Sequence, residues 1–216
     1  QCCERTGQAG DGLTRPGATE EHRMHEQLIS TLSTVAKDGA FRAGRGLSGL
    51  MGQEIAIHVP NVRIGTKADA CDAVGGEETI VLGAYLSISG DITGHVMLLF
   101  PVPRALECVD LMCGQPPGTT QEPDELSDSA IGELGNIVGS AFINALADHL
   151  NLILHPSPPS VINDMAIALV ESVYAEVLSQ GSDVVMMDAI FEDHSGKTAG
   201  LLLVAPDPVS LERLQR

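Results

Sequence analysis

Apolar residues recur every three or four positions over long stretches of the chain, which is the spacing of one buried helix face. The first stretch predicts a helix over about 22–51. The second predicts a helix that begins near Asp124 and ends before Pro156. A weaker pattern over 163–179 predicts a third, shorter helix.

Short apolar runs bounded by turn residues predict strands between these helices. They cover residues 54–60, 80–89, 94–100, 184–192 and 199–204. Turns rich in glycine and aspartate separate the second strand from the third and the fourth from the fifth, so both pairs are predicted as hairpins in a mostly antiparallel sheet. Between the elements we expect a loop over 65–78, a short helix over 104–112 and a breaker-rich linker over 114–124. A further short helix is predicted after Pro208.

The order of elements occurs twice along the chain. Ser30 aligns with Ser129 and Pro60 with Pro159 at the same offset, and each half ends on a hairpin followed by proline. The repeat predicts an α/β (α+β) fold with pseudo-twofold symmetry, in which two long helices flank a mostly antiparallel sheet. The expected organisation is a flexible leader over 1–20 and a single domain over 21–216, made of repeats at about 22–113 and 124–216.

Composition and charge exclude several classes of function. The chain has 216 residues, 12 basic and 29 acidic, so its net charge of −17 disfavours nucleic acids and anionic membranes. Apolar residues make up 44% of it, which is enough for a core, but no run approaches the ~18 apolar residues of a membrane span. The five cysteines are scattered, and residues 1–15 lack the apolar core of a signal peptide. A cytoplasmic protein is therefore expected.

The candidate chemistry lies on the second long helix. Residues three and four apart share a helix face, so one polar stripe contains Ser129, Glu133, Asn136, Ser140 and Asn144. Three glycines interrupt the same helix at 132, 135 and 139, each at a cost of about 1 kcal/mol relative to alanine. Such a cost indicates close approach of another backbone, either inside the fold or from a docking partner.

The spacing of this stripe resembles a known family. Ser129, three residues, Glu133, two residues, Asn136, and then 22 residues to Pro159 match the pattern of the CheC/CheX/FliY phosphatases of bacterial chemotaxis. In that family the first position is Asp or Ser and the others are Glu, Asn and Pro. The resemblance covers about residues 24–214 and is closest in layout to CheC.

The resemblance implies hydrolysis of the aspartyl phosphate on a CheY-type response regulator. Glu133 and Asn136 would be the catalytic pair, with Ser129 as a supporting residue and Pro159 as a structural marker. It implies no cofactor or metal site of the chain's own, because Mg²⁺ is expected on the regulator. A CheD-type receptor deamidase is a further partner that the resemblance suggests, and the chain would be a monomer or a homodimer.

The first half departs from the family's pattern. Ser30 and Pro60 are retained, but Thr34 stands in place of the glutamate and Lys37 in place of the asparagine, so we predict a degenerate, inactive pseudo-site. Lys37, Arg42 and Arg45 form either a solvated helix face or a docking patch for an acidic regulator surface. The alternative function for the whole chain is a non-catalytic adaptor that binds a phosphorylated regulator or a CheD-type deamidase.

Overall fold

The structure is a computed structural model. It describes residues 16–177, 184–194, 196–207, 209–210 and 214, with side chains described from residue 26 onward except at 174, 176 and 177.

Five helices and eight strands alternate along the described chain. The helices are α1 (Pro16–Met51), α2 (Lys67–Ala73), α3 (Val102–Met112), α4 (Glu125–Leu150) and α5 (Ala166–Val177). The strands are β1 (Ala56–His58), β2 (Val62–Gly65), β3 (Ile80–Gly90), β4 (Gly94–Pro101), β5 (Leu154–Pro156), β6 (Ser160–Met165), β7 (Val184–Asp193) and β8 (Gly196–Pro206).

All eight strands join one antiparallel sheet in the order β1-β7-β8-β4-β3-β5, with β2 on β7 and β6 on β3. The two predicted hairpins, β3–β4 and β7–β8, meet at the centre through β4 and β8. Each half of the chain also gives its short strands to the hairpin of the other half. The predicted fold class, a mostly antiparallel sheet with pseudo-twofold helices, is confirmed.

Helices cover both faces of the sheet. On one face α1, α3 and α4 bury an aliphatic core that includes Leu98, Phe100 and Leu202. On the other face α2 and α5 cover a smaller core around Met97, Leu99 and Met186. A sheet buried on both faces requires apolar residues at consecutive strand positions, which explains the continuous apolar runs of the central strands.

The two long helices cross on the larger face and run antiparallel. A Cβ added at Gly39 of α1 would stand 3.0 Å from Cα of Phe142 in α4, and one added at Gly46 would stand 3.3 Å from the Ile137 side chain. Because Gly39 has no side chain, the backbones of α1 and α4 can approach each other this closely. The residues of α1 and α4 that contact neither the other helix nor the sheet are exposed to solvent.

Several predicted boundaries are wrong. Helix α1 begins at Pro16, so residues 16–20, predicted as part of a flexible leader, are helical; residues 1–15 lie outside the described chain. The predicted loop over 65–78 contains α2, which Thr66 and Asp69 start with a reciprocal capping box. The predicted helix over 163–179 begins only at Ala166, because the residues before it extend β6.

The end of the third helix and part of the C-terminus cannot be compared with the prediction. Residues 178 and 179 lie outside the described chain. Beyond Pro206, residues 209, 210 and 214 are helical, which agrees with the predicted short terminal helix as far as the structure describes it.

The interior glycines of α4 are explained by packing inside the fold. A Cβ at Gly135 would overlap that of Ala84 on β3, and one at Gly139 would stand 2.9 Å from Cδ1 of Leu86. A Cβ at Gly132 would lie 3.4 Å from the Val161 side chain of β6. The predicted close approach occurs inside the fold, but the nearest atoms belong to side chains of the sheet and not to another backbone.

We predict that Gly135→Ala destabilises the protein although alanine is the better helix former. Overpacking at Ala84 is expected to cost about 1–3 kcal/mol, which exceeds the gain in helix propensity of about 1 kcal/mol. Urea denaturation monitored by circular dichroism measures the change. The matched control is Gly49→Ala in α1, where no atom lies within 4 Å of the added Cβ, and stability should hold or rise. Equal effects of the two substitutions would contradict this packing.

A buried aspartate holds the linker that leads into α4. Asp110 is 1% exposed, and its carboxylate accepts hydrogen bonds from the amides of Thr119 and Thr120 and from the Thr120 hydroxyl at 2.6–2.9 Å. Burial opposes ionisation, but these hydrogen bonds outweigh it and lower the pKa of the carboxyl group. The linker is therefore anchored to α3 a few residues before α4 begins.

We predict that Asp110→Ala lowers the free energy of unfolding by about 2 kcal/mol at pH 7, because charged hydrogen bonds to two amides are lost. The folded-state pKa is depressed, so this contribution is present above the unfolded value of about 3.9 and is lost as the pH falls through the folded value. Urea titrations of both proteins at pH 7 and pH 3 measure the difference. A gap of the same size at both pH values would show that the ionised carboxylate is not the anchor.

Candidate functional site

Both ends of α4 are fixed by local interactions. Asp124 is the N-cap, and one of its carboxylate oxygens accepts from the amide and the hydroxyl of Ser127 at 2.8 Å each. These two hydrogen bonds hold the pKa of the Asp124 carboxyl below its usual value. At the other end Asn151 takes the left-handed conformation, with φ of 53°, and its amide donates to the carbonyl of Ala147.

The polar stripe of α4 lies on the helix face that is directed away from the sheet. Glu133 is exposed and Asn136 is half-buried. One turn before Glu133, Ser129 is exposed, and its hydroxyl donates to the Glu125 carbonyl at 2.9 Å. The helix therefore brings the predicted catalytic pair together, and Glu133 is more exposed to solvent than Asn136.

Neither member of the pair is committed to another strong interaction. Within the described chain no hydrogen bond or ion pair engages the Glu133 carboxylate. The Asn136 carbonyl oxygen accepts only a long hydrogen bond, 3.5 Å, from the Ser140 hydroxyl. An amide offers two donors and an acceptor, so Asn136 can orient a water molecule or a phosphoryl oxygen at this face.

The strands that follow α4 support the flank on which Asn136 lies. Asn136 follows Gly132 by one turn, and Gly132 packs against Val161 of β6. Pro159 directly precedes β6 and is half-buried. The same connection is tied to β3 where the Ser87 amide donates to the Ser157 hydroxyl at 3.0 Å. Pro159 therefore lies in the connection that leads to β6, and it contributes no reactive group.

Leu126 is an exposed apolar residue on this face. The helical spacing of the apolar residues of α4 favours a buried position for it, but it is 51% exposed. It lies seven residues before Glu133, which places it two turns away on the same helix face. That spacing was the signal that could have identified it as a surface residue next to the candidate pair.

The pseudo-site of the first half occupies the equivalent face of α1. Ser30, Thr34 and Lys37 are exposed, and the Thr34 hydroxyl donates to the Ser30 carbonyl at 3.2 Å. Pro60 is exposed between β1 and β2, just as Pro159 lies between β5 and β6. The structure therefore brings the four pseudo-site residues to matching places, but without a carboxylate or an amide at the key positions.

No group of three or more histidine, cysteine, aspartate or glutamate side chains suited to a metal ion occurs in the described part of the chain. Cys71 and Cys108 are buried free thiols, and burial raises the pKa of both. Helix α4 is long and apolar enough to cross a membrane by length and composition, but 61% of that stretch is buried inside the protein. Its apolar character is accounted for by the core.

The candidate pair lies away from the cavity of about 600 Å³ in this molecule. That cavity is formed by α3, the linker and the β7–β8 hairpin, and Arg104, Thr120 and Lys197 are among its lining residues. Neither Glu133 nor Asn136 lines it. A polar pair on a convex helix face suits a macromolecular substrate that brings its own reactive group to the helix.

The sequence of this chain is similar to known proteins in the segment that contains α4. The family model described as CheC-like matches residues 126–162, which contain the polar stripe and Pro159. The chain is 28% identical over 195 residues to the CheY-P phosphatase CheC of Bacillus subtilis, covering 88% of this chain and 93% of that protein.

Solved structures share the fold at lower identity. FliY of Thermotoga maritima superposes with a TM-score of 0.72 at 20% identity, over 87% of this chain and 93% of that one. FliM from a FliM–SpeE complex of H. pylori gives a TM-score of 0.60 at 12% identity, over 88% and 93% of the two chains. These two likenesses show the fold alone.

The fold and the helix motif together resemble those of CheC-like proteins. The predicted resemblance is confirmed: the CheC-like family model matches the segment that contains the polar stripe, and the similarity to one CheC extends over most of the chain.

Proposed function

We propose that this chain is a chemotaxis phosphatase that hydrolyses the aspartyl phosphate of a CheY-type response regulator, with Glu133 and Asn136 as its catalytic pair. One observation carries the proposal: a carboxylate and an amide lie one helical turn apart on an outward face, free of strong intramolecular partners within the described chain. The name of the Bacillus subtilis relative, a CheY-P phosphatase, supports the same substrate.

The reaction requires little of the phosphatase itself. A water oxygen attacks phosphorus as the bond between phosphorus and the regulator's aspartyl oxygen breaks, which gives a free carboxylate and inorganic phosphate, and the water proton passes to the phosphate or solvent. Mg²⁺ is expected on the regulator, where it balances charge on the phosphoryl oxygens. The contribution left to this chain is to position the water and exclude bulk solvent.

Asn136 is suited to position the water. Its amide can donate to one lone pair of the water and accept one of its protons, which fixes the direction of the attacking oxygen. The weak contact with Ser140 leaves the acceptor available, because 3.5 Å is the outer limit of a hydrogen bond. The half-buried position limits the rotamers of the side chain and so reduces the entropy lost on alignment.

Glu133 is suited to bind and orient the regulator. An exposed carboxylate that has no cation partner among the described residues can form an ion pair with a lysine or arginine on the docked protein. Leu126, exposed on the same face, supplies apolar contact area next to this pair. Together they would hold the phosphorylated carboxylate against Asn136.

The first half of the chain lacks the groups that hydrolysis needs, which supports a single active site, on α4. Thr34 cannot supply a carboxylate, and a lysine side chain has donors but no acceptor with which to hold a water molecule. We propose that the pseudo-site formed by Ser30, Thr34, Lys37 and Pro60 performs no hydrolysis. This loss of chemistry in one half is the observation that favours the adaptor alternative, in which α4 would also bind without catalysis.

We predict that Asn136→Ala lowers the rate of stimulated dephosphorylation by roughly hundredfold, because the water is no longer aligned. The folded protein should keep its stability, since the side chain is polar and makes only one weak hydrogen bond. Release of inorganic phosphate from a phosphorylated CheY-type regulator of the same genome measures the rate, and urea denaturation checks the fold.

The matched control is Asn144→Ala, which removes an exposed amide from the same stripe two turns further along α4. Its activity should remain within about twofold of the wild type, because the residue lies outside the proposed pair. Full activity of Asn136→Ala would remove Asn136 from the mechanism.

We predict that Glu133→Gln chiefly weakens binding of the regulator and makes the residual activity less sensitive to salt, because an ion pair is replaced by a neutral contact. Steady-state kinetics at two ionic strengths separates KM from kcat. A fall in kcat alone, with unchanged KM and salt dependence, would assign Glu133 to the chemical step instead of to docking.

A further inference from the structure

Most described cations of this acidic chain are neutralised within the molecule. Ion pairs hold Arg42, Arg63, Lys67, Arg104 and Lys197. Lys37 and Arg45 of α1 take part in no ion pair within the described chain, and both are exposed. Among the side chains that the structure describes, unpaired positive charge therefore faces solvent on α1, in a molecule whose net charge is −17.

An exposed aromatic ring lies between these two cations. Phe41 is 64% exposed, whereas Phe100, Phe142 and Phe191 are fully buried. It is four residues from each cation, so all three side chains share one face of α1. The Arg45 guanidinium carbon lies 5.9 Å from the centroid of the Phe41 ring, within the range of a cation–π contact.

The same face borders a cleft of about 480 Å³ between α1 and β1. Ala40 and Ile57 supply apolar lining, while Glu54 and His58 form part of its opposite wall. Nε2 of His58 lies 3.5 Å from a carboxylate oxygen of Glu192, so an acidic residue already contacts that wall of the cleft. The positive charge is thus concentrated on the α1 side, next to the exposed ring.

Arg42 does not belong to this face, although the sequence suggested a patch with all three α1 cations. Its guanidinium pairs with Asp38 at 2.7 Å and with Asp148 of α4 at 2.6 Å, and the hydrogen bonds to these carboxylates raise its pKa. Arg42 therefore ties α1 to α4. The accessible surface is reduced to Lys37, Phe41 and Arg45.

We propose that Lys37, Phe41 and Arg45 form a docking surface for an extended acidic segment of a partner protein, in which two acidic residues flank an apolar one. Lys37 and Arg45 are eight residues apart on a helix, which separates them by about 12 Å. In an extended segment, residues i and i+4 lie about 13 Å apart with i+2 on the same side. A sequence of acidic-x-apolar-x-acidic residues therefore matches the surface.

Charge complementarity selects this occupant over the other polyanions. A nucleic acid or an anionic bilayer presents a wide negative surface, which the remaining charge of the chain repels. A short acidic segment meets only the two cations and the ring. The proposal does not depend on hydrolysis at α4.

The test uses a labelled synthetic peptide with a central leucine and a glutamate two positions to either side, followed by fluorescence anisotropy at low ionic strength. We expect the double variant Lys37→Glu/Arg45→Glu to weaken binding by at least roughly tenfold, because both attractions become repulsions. Lys67→Glu/Arg104→Glu changes the net charge equally at exposed ion pairs that do not line the cleft, and this variant should bind within twofold of the wild type. Phe41→Ser should also weaken binding.

Four results would overturn the proposal. These are equal binding by the two double variants, tighter binding of a peptide with lysines in place of the glutamates, preference for single-stranded DNA or phosphatidylserine vesicles over the peptide, and self-association of the chain that the Lys37→Glu/Arg45→Glu variant abolishes. Circular dichroism of each variant shows that a loss of binding does not come from unfolding. Asn136→Ala should bind the peptide normally, which separates this surface from the phosphatase proposal.

Discussion

The contact between Gly135 of α4 and Ala84 of β3 determines which face of the helix meets the sheet. Because Gly135 has no side chain, the Cβ of Ala84 fills the space beneath it, so the helix lies close to the strand and cannot rotate without a clash. Glu133 is two residues before Gly135, so the same rotation directs it to the opposite side, toward solvent. The packing of an apolar core therefore fixes the direction of a polar side chain that never enters it.

The interactions around α4 all preserve this orientation. Asp124 caps its first turn, Asp110 anchors the linker before it, and Gly39 lets α1 cross it closely. Preorganisation of this kind matters for a phosphatase that adds no nucleophile of its own, because positioning is then its main contribution to the rate. It also matters for an adaptor, since a rigid face loses little entropy on docking. The fold therefore suits both candidate functions, and only the chemistry of the stripe separates them.

The two halves of the chain use equivalent helices differently. On α4 the outward face carries a carboxylate and an amide, whereas on α1 the equivalent face carries a lysine, an arginine and an exposed phenylalanine. The exchange of short strands between the halves keeps both helices on one sheet. A duplicated fold can in this way retain its packing while one face keeps the reaction and the other acquires a different binding property.

Much of the fold and of the candidate site follows from the sequence. Helical periodicity predicted α1 and α4, and the two hairpins were predicted because long apolar runs flank their turn residues. Short elements were missed: α2 has only seven residues, and it was assigned to a loop because its capping box at Thr66 and Asp69 lies among glycines and charges. The second half of β6, residues 163–165, was assigned to the start of a helix, since the exposed edge residues of this strand show no clear alternation.

The exposure of single residues could not be predicted. Leu126 shares the apolar period of α4, yet it is exposed to solvent. The ion pair between Arg42 and Asp148 joins residues more than a hundred positions apart in sequence, so nothing local indicates it. Such features depend on how the helices cross, which is set by tertiary packing and not by period.

The central claim, that the α4 face catalyses hydrolysis instead of only binding, is tested most directly by counting turnovers. A phosphorylated CheY-type regulator is mixed with this protein at about one-twentieth of its concentration, and inorganic phosphate is followed with time. We predict that all of the phosphorylated regulator is hydrolysed faster than it decays in the absence of this protein, and that each molecule of this protein completes many turnovers. An unchanged or longer lifetime of the phosphorylated regulator would contradict it.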